Sequence, residues 1–235
     1  MFKKIFILLL IFMVGGLGGI FVPWLFGRWW PDAPFISRTQ TVIVNKTEQV
    51  VLKEKETMDR AYRKNGSAVA SVTSFNGNAV LAGGSGFVVS ADGLILTRRE
   101  NVSAGASRIG VQMASQDMSA RIVKVSEENG LVLLRVEASN LPVVSFAEDV
   151  GELTGTTVFL MGIKRGVSSL IPFVNIGAIK SVDGALVDTT IKEEFRFATG
   201  APLIALDGNV VGIASVNSLG YVFAVSTDAI AQFLK

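Results

Sequence analysis

The sequence predicts an all-β body of about a dozen short strands behind one N-terminal transmembrane helix. Three observations carry this. From Ser67 onward, short runs of Val, Ile, Leu and Phe are punctuated by Gly and polar clusters, with no long helical period. Three Asp-Gly pairs, Asp92-Gly93, Asp183-Gly184 and Asp207-Gly208, are hairpin signals beside apolar runs. Residues 5–26 form a run of 22 uncharged residues.

That run matches the length at which a helix crosses a hydrocarbon core of about 30 Å. A cleaved signal peptide has an apolar core of only about 7–15 residues and ends in small residues. Here Trp24, Phe26, Trp29 and Trp30 stand at the far end, which suits a membrane-interface belt, so an uncleaved anchor is expected. Lys3 and Lys4 favour a cytoplasmic N-terminus and an extracytoplasmic body, although Arg28 and Arg38 lie on the far side. The expected organisation is an anchor over 1–30, a tether over 31–66 and one body over 67–235. Pro31, Pro34 and the charged stretch Lys53-Glu54-Lys55-Glu56 give the tether a short exposed helix or solvated coil, read as a spacer.

Strands are expected over 68–74, 86–89, 94–97, 108–113, 120–125, 131–136, 158–161, 175–182, 185–189, 202–205, 210–215 and 221–225. A closing helix over 227–234, capped by Ser226 or Thr227, puts Ile230, Phe233 and Leu234 on one face.

Composition excludes several function classes. With 22 basic and 20 acidic residues the net charge is +2, so there is no basic footprint for nucleic acid. With 0 Cys and 0 His there is no disulfide framework, thiolate site or imidazole ligand, and neither metal nor cofactor is expected. Lack of histidine also removes the general base of Ser-His-Asp proteolysis. The glycines of Gly83-Gly84-Ser85-Gly86 precede a strand instead of opening a helix, so turn geometry explains them better than phosphate binding. Asn45, Asn65 and Asn101 head Asn-x-Ser/Thr triplets, glycan acceptors only in a eukaryotic secretory route.

Residues 84–97, Gly-Ser-Gly-Phe-Val-Val-Ser-Ala-Asp-Gly-Leu-Ile-Leu-Thr, closely resemble the start of the first barrel in HtrA/Deg-type trypsin-like serine proteases. The similarity continues through 120–125, 131–136, 158–162, 175–181, 200–213 and 220–225 in the family's order. It implies two packed six-stranded barrels, about 67–142 and 150–235, with the site in the crevice between them. It also implies the family's tendency to form trimers; its C-terminal PDZ module is not expected here, because Lys235 follows directly on the protease-like body.

Carried over residue by residue, the resemblance puts Glu100 at the histidine position, three residues after Thr97, and Gly130 at the aspartate position, with Glu127 and Glu128 nearby. Thr199 takes the serine position in Phe197-Ala198-Thr199-Gly200-Ala201-Pro202-Leu203, and Phe197 and Thr199 supply the oxyanion-hole positions. A carboxylate is a poor base towards an alcohol, so the expectation is a membrane-anchored, inactive homologue that binds peptides or unfolded proteins or serves assembly. The alternatives are a hydrolase using Thr199 with an unconventional base, such as Lys164, Lys180 or Lys192, and a purely structural envelope protein whose cleft Phe197 fills.

Overall fold

The computed structural model describes residues 46–113, 116–166, 169–193 and 196–235, together with helical positions 3–7, 10 and 13. The chain divides into two compact units, Met1–Thr47 and Glu48–Lys235. Among the described residues no helix is long and apolar enough to cross a membrane. The expected span 5–26 lies outside the described residues except at positions 5–7, 10 and 13.

All twelve expected strands form. The first barrel comprises β1 (Val69–Asn76), β2 (Ala79–Ser90), β3 (Leu94–Arg98), β4 (Arg108–Met113), β5 (Gln116–Ser126) and β6 (Leu131–Val136), closed in the order β1-β2-β3-β6-β5-β4. The second comprises β7 (Thr157–Arg165), β8 (Leu170–Asp183), β9 (Leu186–Lys192), β10 (Pro202–Ala205), β11 (Val210–Val216) and β12 (Tyr221–Ser226). Its order, read from β7, is β7-β8-β9-β12-β11-β10, the same topology six strands later. The Asp-Gly turns join β2 to β3, β8 to β9 and β10 to β11, each with its glycine at positive φ.

Barrel closure sets which side chains form the core. Phe87, Ile95, Leu96, Leu131 and Leu134 are buried inside the first barrel, and Val158, Leu160, Ile179, Val187 and Leu203 inside the second. Phe159, Met161, Ile204 and Ile213 of the second barrel belong to the same apolar cluster as the first barrel's core, which packs the two together.

Several strands run further than expected; β2 starts at Ala79 rather than 86, and β7 ends at Arg165 rather than 161. β5 starts at Gln116 rather than 120, and β8 at Leu170 rather than 175. The added residues are mostly outward-facing or half-buried; β8, for example, pairs Leu170 and Ile171 with Arg165 and Lys164. Ladder hydrogen bonds there form without the burial that makes apolar patterning visible.

The tether region also differs. In place of a short helix, α1 runs over 20 residues, Lys46–Asn65. Met58, Ala61 and Asn65 share its inner face by their spacing of three and four. Ala61 and Asn65 are buried, and Asn65 Nδ2 donates to Gly208 O at 2.9 Å in the β10–β11 turn. At the other end α2, Thr227–Leu234, forms as expected and buries Ile230 and Phe233. Lys124 Nζ on β5 donates to Phe233 O at 2.7 Å.

Candidate functional site

Thr199 lies in the crevice between the barrels, after a single 3-10 turn (Arg196–Ala198) and before β10. Two clefts meet at it. One, of about 350 Å³, is bordered by Leu81, Gly83, Glu100 and Asn101. The other, of about 610 Å³, is bordered by Glu193, Asn217, Leu219 and Gly220. Arg196, Thr199 and Val216 line both.

The Thr199 loop is fixed by backbone groups and two short polar side chains. Thr199 O accepts from Ser85 N at 2.9 Å and from Asn101 Nδ2 at 2.9 Å. Ser85 Oγ donates to Phe197 O at 2.6 Å and accepts from Ile163 N at 3.1 Å, so it ties β2, β7 and the loop together. Asn101 is 1 % exposed, and its Nδ2 also faces Ser85 O at 3.1 Å and Thr97 Oγ1 at 3.0 Å. Gly200 must be glycine: its φ is +88°, and a Cβ there would stand 2.0 Å from Ser85 O.

Sequence reasoning missed Ser85 and Asn101 as site residues. Asn101 stood out only as a glycan triplet, which its burial rules out as an acceptor. The available signal was the run of small polar residues beside the proposed nucleophile's partner strands, which carries no period.

The turn also decides what Thr199 can offer. Its N–H donates to Arg196 O at 3.0 Å. An oxyanion hole needs that N–H aimed at substrate; here a carbonyl oxygen takes it. Phe197, the other expected oxyanion position, is half-buried, lines neither cleft, and approaches Gly83 with its ring.

Glu100 sits in the 3-10 turn Arg99–Asn101, its side chain 54 % exposed, and its Oε1 meets Arg98 Nη2 at 3.3 Å. Arg98 itself is buried. Its guanidinium donates to Asn129 O and lies over Gly130, where a Cβ would be 3.1 Å from Nη2. Glu127 pairs with Arg99 in an exposed contact that contributes little. None of Lys164, Lys180 and Lys192 lines either cleft; Lys192 Nζ lies over the Tyr221 ring, 4.5 Å from its centre.

Two closed barrels of one topology, with a hydroxyl-bearing turn in the crevice between them, define the two-barrel protease-like class. Residues 84–213, over half of the sequence, match the family model for the trypsin-like peptidase domain, so the chain belongs to that family, and its relatives are of HtrA/Deg type. It is 29% identical over 172 residues to serine protease HTRA1B of Danio rerio, covering 68% of this chain and 36% of that protein. It is 31% identical over 159 residues to a probable periplasmic DegP-like serine endoprotease of Hahella chejuensis, covering 62% and 33%. The chain thus spans about a third of the length of these curated relatives. The serine endoprotease of Yersinia pestis shares the fold with a TM-score of 0.63 at 24% identity, over 75% of this chain and 64% of that one.

Proposed function

We propose that this chain is a membrane-anchored, trypsin-like protease homologue that does not cleave peptide bonds and uses its crevice to hold extended peptide. The observation that carries the reading is the bond from Thr199 N–H to Arg196 O at 3.0 Å, which puts a carbonyl where an oxyanion would need a donor. The buried Arg98 guanidinium at the aspartate position and the absence of histidine support it. The uncharged run 5–26 supports the anchor, with Lys3 and Lys4 on the cytoplasmic side and the barrels outside it.

Strand geometry supports peptide binding. Asn217 N donates to Tyr221 O at 3.0 Å, towards β12, while Ala214 N donates to Ala201 O and Ala214 O accepts from Gly200 N, both at 2.8 Å, on the opposite side. Backbone groups alternate along a strand, so Val216 turns its N–H and C=O to the side that Ala214 uses, where Val216 lines both clefts. An extended peptide can add to such an edge.

The test is hydrolysis of unfolded casein by the full chain and by its Thr199→Ala variant. No cleavage by either is expected. Cleavage by the natural chain that the variant lacks would overturn the reading and make Thr199 a nucleophile.

A further inference from the structure

Asparagine stands directly before glycine at Asn65-Gly66, Asn76-Gly77 and Asn129-Gly130. Such pairs can cyclise, because glycine has no side chain to shield its nitrogen from the asparagine side-chain carbonyl. The structure separates the three. We propose that Asn129-Gly130 is a site of deamidation through a succinimide, and that Arg98 directs the ring to open to isoaspartate. The substrate is the chain itself, and water is the co-reactant.

Asn65 is closed to the reaction. It is 1 % exposed, and its Nδ2 donates to Ala61 O at 3.1 Å and to Gly208 O at 2.9 Å, which fixes the side chain. At Asn76 the attacking nitrogen is engaged, since the Gly77 N–H donates to Ser107 Oγ at 3.1 Å. Asn129-Gly130 carries neither restraint. Both residues are half-buried in the β5–β6 turn. Among the described residues the Gly130 N–H has no acceptor, and the Asn129 side-chain amide has no partner.

Arg98 acts on the same peptide. Its Nη1 donates to Asn129 O, the carbonyl bonded to the Gly130 nitrogen. A cationic donor there withdraws electron density from the peptide and eases loss of the Gly130 amide proton. The Gly130 nitrogen then attacks Asn129 Cγ, the Cγ–Nδ2 bond breaks, and the side-chain nitrogen takes up a proton and leaves as ammonia. Water next adds to one of the two ring carbonyls, its oxygen going to carbon and a proton to the Gly130 nitrogen. Addition at Cγ breaks the bond just formed and gives aspartate. Addition at the main-chain carbonyl breaks the original peptide bond and gives isoaspartate, with the chain now running through Cγ. Arg98 polarises the main-chain carbonyl, which favours isoaspartate. The oxygen that Arg98 held as a carbonyl then belongs to a carboxylate. A charge-assisted hydrogen bond thus becomes an ion pair, beside the position that the resemblance assigns to the aspartate.

The test is incubation of the purified full chain at mildly alkaline pH, followed over time by peptide mapping in a mass spectrometer, where deamidation reads as a gain of one mass unit. Asn129 is expected to convert about fivefold faster than Asn76, the factor that one hydrogen bond on the attacking nitrogen represents. Asn76 converting as fast or faster, or Asn129 not converting at all, would overturn the site. Steering is read by enzymatic methylation of isoaspartate in the deamidated chain and in the free peptide of residues 126–132, Ser-Glu-Glu-Asn-Gly-Leu-Val. The folded chain is expected to give the higher share of isoaspartate. Equal shares would overturn the role of Arg98 while leaving the site standing, and so would an excess that persists in a folded Arg98→Met variant.

Discussion

The guanidinium of Arg98 lies against Gly130, with Nη2 3.1 Å from where a Cβ on that glycine would stand. A cation thus occupies the ground where the resemblance puts an orienting carboxylate. It holds Glu100 at 3.3 Å and the Asn129 carbonyl, so the local order depends on it.

Reinstating the three family residues therefore does not rebuild a protease. The triple variant Glu100→His, Gly130→Asp, Thr199→Ser is expected to leave casein intact, because an aspartate at 130 meets Arg98 before any imidazole and the Thr199 N–H remains bonded to Arg196 O. Casein cleavage by the triple variant would show that neither obstacle matters.

Arg98→Met removes the donors to Asn129 O and Glu100 while keeping much of the side chain's volume. The expected loss is about 1–3 kcal/mol in urea unfolding, because the Asn129 carbonyl loses a charged donor. Arg98→Lys is expected to recover only part of it, since one ammonium does not reproduce the fork. An unchanged midpoint in Arg98→Met would mean that the guanidinium contributes nothing net.

The strands were legible from the sequence because those buried on both faces, such as β6 and β11, read as short continuous apolar runs between turns that carry Gly at positive φ, and the closing helix because its apolar residues share one face. The outward parts of β5 and β8 were not, since hydrogen-bonded ribbon without burial has no apolar signature. At the site, the positions of Glu100, Gly130 and Thr199 came from the resemblance and not from spacing. The Arg196–Thr199 bond stayed invisible because two backbone groups make it, and any sequence offers those. Arg98 stands in the charged run Arg98-Arg99-Glu100 and yet is buried, because Gly130 has no side chain to exclude it.

Acid affects the β2–β3 hairpin through Asp92. The Ser90 hydroxyl holds the Asp92 carboxyl below the ordinary carboxylate range, against burial, the next largest effect, which raises it, and with further lowering from the Arg135 guanidinium. A depressed folded-state pKa contributes stability above the unfolded value and loses it as pH falls through the folded one. Ser90→Ala is expected to move the Asp92 midpoint upward in an NMR titration of its side-chain carboxyl. A midpoint that stays put would assign the depression to Arg135 instead, whose nitrogen lies 2.9 Å from Oδ2.

Asn101 separates a donor's role from a shape's. Its Nδ2 faces three oxygens, Ser85 O, Thr97 Oγ1 and Thr199 O, within 3.1 Å, so it joins β2, β3 and the Thr199 loop. Asn101→Ala removes the donor and opens a small cavity, at an expected cost of about 2–4 kcal/mol in urea unfolding. Asn101→Asp keeps the shape but turns a carboxylate oxygen towards carbonyl oxygens in a site excluded from water. It is therefore expected to cost at least as much as alanine at neutral pH, and to recover as acid protonates the carboxyl into a donor. If aspartate proves milder than alanine at neutral pH, packing and not donation is what Asn101 contributes.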